Sequence, residues 1–364
     1  MGKIGFFLCK GDAAVQSYYI SCDRFGDPLD VLRLGRKETR LPGPGQVLVR
    51  MMERPVNPSD LIPVRGAYAH RVSLPFVPGY EGVGIVDAVG EGVPSSLIGR
   101  RALPLRGEGT WQEYVTTEAR WSVLVPDGID DDNAAQLYIN PLTAWLICTD
   151  VLALQPDQTL LVNAAGSAIG RVFAQLAGVM GFRVIAITRD GKYAQELLEL
   201  GASNAVNSSQ PSWHEAVMDL TGGRGAHAGI DSIGGPDSAQ LAACVRPGGT
   251  VLSIGLLSGI SPEWHRIARD TGTVPKLFWL RSWLERASVG DWQEAFARIM
   301  ALVQESRLQF APVKRRIELK QTIEAVRLSN ASGMGGKMML TSRVAGSRIE
   351  QGCSGSMLRR GSTK

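Results

Sequence analysis

The feature that most constrains this chain is a strand–helix alternation that begins at Thr159. Short apolar runs at Thr159–Ala164, Arg183–Thr188, Ala205–Asn207, Ala228–Asp231 and Thr250–Ile254 predict strands. Between them, Ala168–Met180, Tyr193–Leu200, Trp213–Leu220 and Asp237–Val245 carry helical spacing. Parallel strands need a crossover, and a helix between each pair supplies it. The repeat therefore predicts an α/β fold with a parallel, doubly wound (Rossmann) sheet. Lys276–Leu280 is the expected last strand.

Upstream of this region the texture is different. A β-rich stretch opens near Tyr18, and Phe25–Pro28 reads as a turn. Gln46–Arg50, Val83–Val89 and Gln112–Thr116 are strand candidates, punctuated by Gly and Pro and with no long helix up to about residue 127. Asp130–Asp132 ahead of Ala134–Leu137 marks a helix start, since acids favour the positive end of the dipole. Near the C-terminus, residues 291–304 and 321–328 have helical spacing, and Lys337–Thr341 reads as a final strand.

Composition removes several classes. Of 364 residues, 44% are hydrophobic and 20% charged, so the chain has enough apolar material for a core and is not a disordered polymer. The net charge of +4 sits wholly in the tail, where Arg343, Arg348, Arg359, Arg360 and Lys364 outnumber Glu350. The body is neutral, which argues against a nucleic-acid footprint. Five cysteines, none in CxxC spacing, fit neither a disulfide framework nor a zinc ribbon and suit a reducing compartment. Cys148 and Cys244 fall in apolar helical patterns and read as core. There is no apolar run of about 18 residues, so no membrane span is expected. The start of the chain lacks a secretory pattern, and the expected location is cytoplasmic. Residues 1–16 read as an extension and 345–364 as a disordered basic tail.

The first strand–helix junction reads Leu160-Leu-Val-Asn-Ala-Ala-Gly-Ser-Ala-Ile-Gly170. A helix N-terminus presents free amides and positive dipole to a pyrophosphate, and small residues let the backbone approach it. The G-x-G-x-x-G slots hold Ala165, Ser167 and Gly170, with Gly166 between the first two, and Ala168 and Ile169 complete the helix start. A second strand thirteen residues after Gly170 supplies the context that such a fingerprint needs. At the end of that strand, Thr188 and Arg189 stand where an NAD enzyme carries an acid for the ribose hydroxyls, with Lys192 close behind. A guanidinium grips a phosphate through a charge-assisted fork. NADPH is the expected cofactor, ahead of NADH, although Asp190 is adjacent.

With these residues in place, the chain resembles the medium-chain dehydrogenase/reductase superfamily over about residues 17–342. The resemblance is carried by Asn57-Pro-Ser-Asp60, Pro78-Gly-Tyr-Glu-Gly82, Gly109-Thr-Trp-Gln-Glu-Tyr114, Asn140-Pro-Leu-Thr-Ala-Trp145, the glycine turn and Gly336-Lys337. It looks most like zinc-free members, the quinone oxidoreductases and the mitochondrial-type 2-enoyl thioester reductases. Gly109-Thr-Trp111, Asn140-Pro-Leu-Thr143 and Phe278-Trp-Leu-Arg-Ser-Trp283 lean toward the latter. The resemblance implies a GroES-like catalytic domain from residues 17–135 and 286–344, interrupted by a Rossmann cofactor domain at 136–285. It also implies cofactor contacts at Asn140, Phe278, Trp279 and Lys337, and frequent dimerisation.

Zinc-dependent members hold catalytic zinc with a Cys and a His, and those slots here contain Asn57 and Tyr80. Both are poor zinc ligands, the four-cysteine lobe is absent, and His70, His214, His227 and His265 form no ligand spacing. Zinc is therefore not expected. Without that Lewis acid, conjugated acceptors are easier targets than alcohols. Hydride addition to the β-carbon of an enoyl thioester leaves an enolate to be stabilised and protonated at the α-carbon. Tyr68, in Arg65-Gly-Ala-Tyr68, matches the enoyl reductases' catalytic tyrosine, and a phenol of pKa near 10 is a donor at neutral pH. It reads equally as a pocket-lining residue.

Asn57 and Thr143 are the other catalytic candidates, near the nicotinamide or substrate oxygen. Trp111 and Trp279 are candidates for the wall of an acyl pocket. The leading expectation is a 2-enoyl thioester reductase. Quinone reduction, a zinc-free alcohol dehydrogenase-like activity and a catalytically idle binding protein remain alternatives. The expected substrate is a small molecule or acyl thioester, with an acyl carrier protein as a possible partner. Arg65, Arg71, Arg100, Arg101 and Arg106 offer it a basic landing patch.

Overall fold

The computed structural model describes residues 15–67, 69–330 and 335–342. Strands β1 (Val15–Cys22) and β2 (Leu32–Thr39) form an antiparallel hairpin. They are followed by β3 (Gln46–Pro55), β4 (Val83–Val89), β5 (Arg101–Leu103), β6 (Tyr114–Glu118) and β7 (Val123–Leu124). Next come β8 (Thr159–Val162), β9 (Arg183–Thr188), β10 (Asn204–Asn207), β11 (Ala226–Asp231), β12 (Val245–Ser253) and β13 (Val274–Leu277). The last two strands are β14 (Val313–Glu318) and β15 (Lys337–Thr341).

The strands β3–β7 share a seven-stranded sheet with β14 and β15, in the order β14-β15-β3-β4-β5-β7 with β6 also on β3. Segments from both sides of the β8–β13 region thus build one sheet. Val47, Val49 and Met51 of β3 pack with Val86, Ala102 and Val115 in a fully sealed core. Period-2 alternation places these side chains on one face. The middle of the chain forms the six-stranded parallel sheet, in the order β10-β9-β8-β11-β12-β13. All four residues of β8 are buried, as expected of a strand covered by helices on both faces.

The strand order reverses between β8 and β11. In such sheets the crevice beyond the carboxyl ends at the reversal is where a ligand fits. The loops that leave those two strands, 163–167 and 232–235, therefore frame the site.

The helices Ala168–Met180 and Trp213–Leu220 have the bounds that spacing predicts. Several strands differ, among them β3, which runs on to Pro55. β6 lies two residues later than predicted, and β12 starts at Val245 instead of 250, because Arg246, Pro247 and Gly248 point outward and hide the period. β13 ends at Leu277, before Phe278, as an exposed edge that needs no apolar run.

The helix Val289–Gln304 buries Trp292 and Phe296 against Trp121 and Tyr138, with ring centroids 5.9 Å (Trp121–Trp292) and 5.7 Å (Tyr138–Trp292) apart. Cys148 and Cys244 are buried as core residues. No described helix is long and apolar enough to cross a membrane.

Candidate active site

The site begins at the glycine turn. Ser167 caps the helix Ala168–Met180, its hydroxyl accepting the Gly170 amide at 3.2 Å. The amides of Ala168 and Ile169 lie in the first turn, which has no intrahelical acceptors. Gly170 is tied to its residue type by contact: a Cβ there would overlap the carbonyl of Ala165. Gly166 is tied likewise, because a Cβ would overlap the Tyr193 ring. Ala165 is fully buried, so it shapes the turn from beneath. Its neighbour Ala164 takes a φ of 46°, a left-handed conformation that costs a residue with a Cβ.

Two polar networks hold the turn. Arg171 reaches back to donate to the Gly166 carbonyl and forms a bidentate pair with Glu196, both bonds at 2.8 Å. That bond, foremost, holds the Glu196 carboxyl below its ordinary range. The Arg171 guanidinium also lies 5.0 Å from the Tyr193 ring centre. On the other side, Asp231 ends β11 with no exposure. Its Oδ1 accepts Asn163 Nδ2 at 2.7 Å and the Ile233 and Gly234 amides at 3.0 and 3.1 Å. A carboxylate saturated with donors fixes the loop that follows it.

Between these loops opens a cleft of about 960 Å³. It is lined by Gly166 and Ser167, by Thr188, Arg189 and Lys192, and by Tyr193. Sequence reading thus placed Gly166, Ser167, Arg189 and Lys192 in one space. Arg189 and Lys192 are exposed, and the adjacent Asp190 carboxylate accepts the Lys192 amide at 3.1 Å. Thr188 Oγ1 is buried with no hydrogen-bond partner among the described residues. A cradle with no room for a Cβ, free helix amides, an unmet hydroxyl and two cations fit a dinucleotide that ends in phosphate.

A second cluster lies deeper. Asn57 precedes the helix Pro58–Val64, where Pro58 fits the first turn and Asp60 accepts the Asn57 amide at 2.8 Å. The other Asp60 oxygen accepts the Tyr80 amide at 3.0 Å. Asn57 Nδ2 donates to Glu81 Oε1 at 2.7 Å, and Asn57 Oδ1 accepts from Lys337 Nζ. Glu81 Oε2 accepts the Tyr138 and Ile139 amides at 3.1 and 2.8 Å, at the start of the helix Ile139–Leu146. Asn57, Asp60, Glu81 and Lys337 are all buried. Burial pushes the Asp60 carboxyl up to about 7 and raises Glu81, while Lys337 in part restores both. Burial likewise lowers Lys337, against the pull of Glu81 and then Asp60.

This geometry bears on two expectations. The Asn57 side-chain amide bonds Glu81 through its nitrogen and Lys337 through its oxygen. An ammonium against its oxygen, with a phenol in the neighbouring slot, is a donor set that does not fit a zinc ion.

The remaining candidates stand on other elements. Asn140 is half-buried and Thr143 buried, one turn apart on the Ile139–Leu146 helix. Phe278 packs on the core, its amide donating to Ser253 at 2.9 Å. Trp279 is 40% exposed, and the Arg71 guanidinium lies 4.5 Å above its ring. Trp111 corrects the expectation of a pocket wall: it is fully enclosed in the core beside Val56 and Leu61. Arg101 leaves the basic patch, since it pairs with Asp131 and the Pro126 carbonyl, both at 2.7 Å. Tyr68 lies outside the described residues.

Sequence reading assigned no role to Asp60, Glu81 or Tyr193. A lysine inside the apolar strand Lys337–Thr341 was the available signal, because a buried cation demands carboxylates nearby.

The chain belongs to the medium-chain dehydrogenase/reductase superfamily, in its zinc-free branch. Residues 43–127 match the alcohol dehydrogenase GroES-like domain, and residues 168–301 match the family described as zinc-binding dehydrogenase. Among curated relatives, the bovine (Bos taurus) mitochondrial enoyl-[acyl-carrier-protein] reductase is 30% identical over 87% of this chain and 86% of its own length. A Bacillus thuringiensis protein assigned as an NADPH:quinone reductase has a crystal structure similar to this one. It has a TM-score of 0.88 and 50% identity, covering 90% of this chain and 100% of that one. A mycobacterial protein solved in complex with NADPH is 25% identical with a TM-score of 0.80, covering 89% of this chain and 100% of that one.

Proposed function

We propose that the chain is an NADPH-dependent reductase of activated carbon–carbon double bonds, acting on 2-enoyl thioesters. The observation that carries this reading is the Lys337–Asn57–Glu81 constellation, built on Asn57, which by resemblance stands in the slot of a zinc ligand in zinc-dependent members. It provides no Lewis acid for an alcohol, and it leaves a conjugated acceptor as the easier partner. The 30%-identical enoyl reductase supports the thioester, and the cations of the cleft support the phosphate-bearing cofactor.

When bound, NADPH supplies a hydride to the acceptor's β-carbon. Gly166, Ser167, Ala168, Ile169 and Gly170 would hold its pyrophosphate, and Arg189, Lys192 and Thr188 its ribose phosphate. Asn140, Phe278 and Lys337 would border its nicotinamide end. Thr143 orients the carbonyl oxygen, and Tyr68 delivers a proton to the α-carbon. Trp279 and Arg71 flank the acyl entrance. In this reading residues 17–135 and 286–344 form the catalytic lobe and 136–285 the cofactor lobe.

An acyl carrier protein or a coenzyme A tail would meet Arg65, Arg71, Arg100 and Arg106. A homodimer is supported by the open edge of β13, where Val274 and Leu277 are exposed. Quinone reduction is the second reading, favoured by the 50%-identical relative.

Following NADPH absorbance with crotonyl-CoA and with a simple benzoquinone separates the two. Tyr68→Phe should lower thioester turnover strongly while NADPH affinity stays within about twofold, since a phenol hydroxyl typically contributes to acid–base catalysis by ~100-fold or more. Unchanged turnover removes Tyr68 from the chemistry.

A further inference from the structure

The helix Ile139–Leu146 carries Asn140 and Thr143, yet it has no cap of its own. Tyr138 at its N-cap makes no side-chain capping bond. The cap comes instead from a residue 57 positions earlier: Glu81 Oε2 accepts the Tyr138 and Ile139 amides. Glu81 belongs to the turn ahead of β4, and its other oxygen holds Asn57, which in turn holds Lys337 of β15. Three segments of the catalytic lobe thus converge on the start of the helix that leads into the cofactor lobe. The Thr110 hydroxyl also donates to the Glu81 carbonyl at 2.8 Å, so the Glu81 backbone is held as well.

The chemistry of this junction requires an anion. Two backbone amides at the positive end of a helix, one amide N–H and a nearby ammonium all face Glu81. A glutamine there would retain one oxygen and turn an NH2 donor toward another donor, leaving a buried mismatch.

We propose that Glu81 is a positioning residue for the reduction. Its carboxylate pins the Ile139–Leu146 helix to Asn57 and Lys337 and so sets where Asn140 and Thr143 stand relative to the nicotinamide end of the crevice. The part of the cleft that would hold the phosphates is made by other elements, so most of the affinity for NADPH is expected to survive loss of Glu81. This inference deepens the reductase reading and rests on it.

The test uses the full chain with NADPH and whichever of crotonyl-CoA or benzoquinone the wild type reduces. Glu81→Gln is expected to lower kcat by about tenfold or more, the scale of a sub-ångström to 1 Å misplacement, with the NADPH dissociation constant within about threefold of wild type. The fluorescence of bound NADPH should change in the same variant, since it reports the surroundings of the nicotinamide. Because Glu81→Gln can also loosen the fold, its melting temperature is compared with Lys337→Met and with the double variant. The double variant is expected to melt above Lys337→Met alone, having one buried charge fewer to leave unpaired, while its kcat stays low.

Wild-type kcat in Glu81→Gln overturns the proposal. So does a loss of kcat matched by an equal loss of NADPH affinity, which would mean general loosening. A wild type that binds NADPH but reduces neither acceptor overturns the reductase reading instead, and the fluorescence of bound NADPH then decides the positioning role by itself.

Discussion

Two cations show how differently the halves of this crevice are built. Arg189 stands exposed at the rim of the dinucleotide cleft, whereas Lys337 is sealed between a strand and two carboxylates. The first keeps its hydration until a phosphate displaces it, so its loss should be read in ligand affinity and little in stability. The second has no water to fall back on, so its partners become its solvent and its loss is read in the fold.

Lys337→Met tests the sealed side most severely. Removing the ammonium leaves Glu81 and Asp60 as buried carboxylates, and the expected destabilisation is about 3–5 kcal/mol, measured by urea unfolding. A change under about 1 kcal/mol would erase the contrast. Gly170→Ala attacks the cradle, where a Cβ overlaps the Ala165 carbonyl. The turn has to move away from the phosphate, and NADPH affinity should fall by roughly tenfold to a hundredfold with a smaller cost in melting temperature.

Asp60 gives a pH signature to the sealed side. Its folded carboxyl is raised from 3.8 to about 7. A raised carboxyl favours the protonated folded state, so stability is fully present below about pH 4 and declines as pH rises through 7. Asp60→Asn should flatten that slope, a difference of roughly 2–4 kcal/mol across the window, seen in unfolding midpoints at pH 4, 6 and 8. Parallel slopes in the two proteins would place the titration elsewhere.

Arg189→Ala probes the open side. It should weaken NADPH by about tenfold, the worth of one charge-assisted hydrogen bond, and leave NADH binding and melting temperature nearly unchanged. Equal loss for both nucleotides would deny Arg189 a role in choosing the phosphate. The smallest effect is expected from Trp279→Ala at the Arg71 stack. An exposed cation–π contact stabilises by about 0.5–1 kcal/mol, while the Michaelis constant for a long acyl thioester should rise more than that for crotonyl-CoA.

The open side was largely legible in advance. Gly166, Ser167, Arg189 and Lys192 are local in sequence, and a strand, a tight turn and a helix start announce themselves over about a dozen residues. Trp111 was not legible in this way, because its indole has the same composition signal whether it walls a pocket or fills a core. Arg101 read as a surface charge, and only the fold brought Asp131 beside it. Asn57 reads as a contact near the nicotinamide or substrate oxygen, and only the fold brings Lys337, 280 positions later, to its side-chain oxygen.

The sequence by itself determined the parallel strand–helix region and the dinucleotide turn, because each follows from short-range periodicity or residue identity, and the family resemblance added Asn57 and Tyr80 in the slots of zinc ligands. Tertiary structure alone decided which charges are sealed together. Glu81, Lys337 and the start of the Ile139–Leu146 helix meet only when β3–β7 and the distant β14 and β15 join one sheet. The strength of a charge pair depends on the water excluded around it, and that exclusion is a property of the closed fold rather than of any segment.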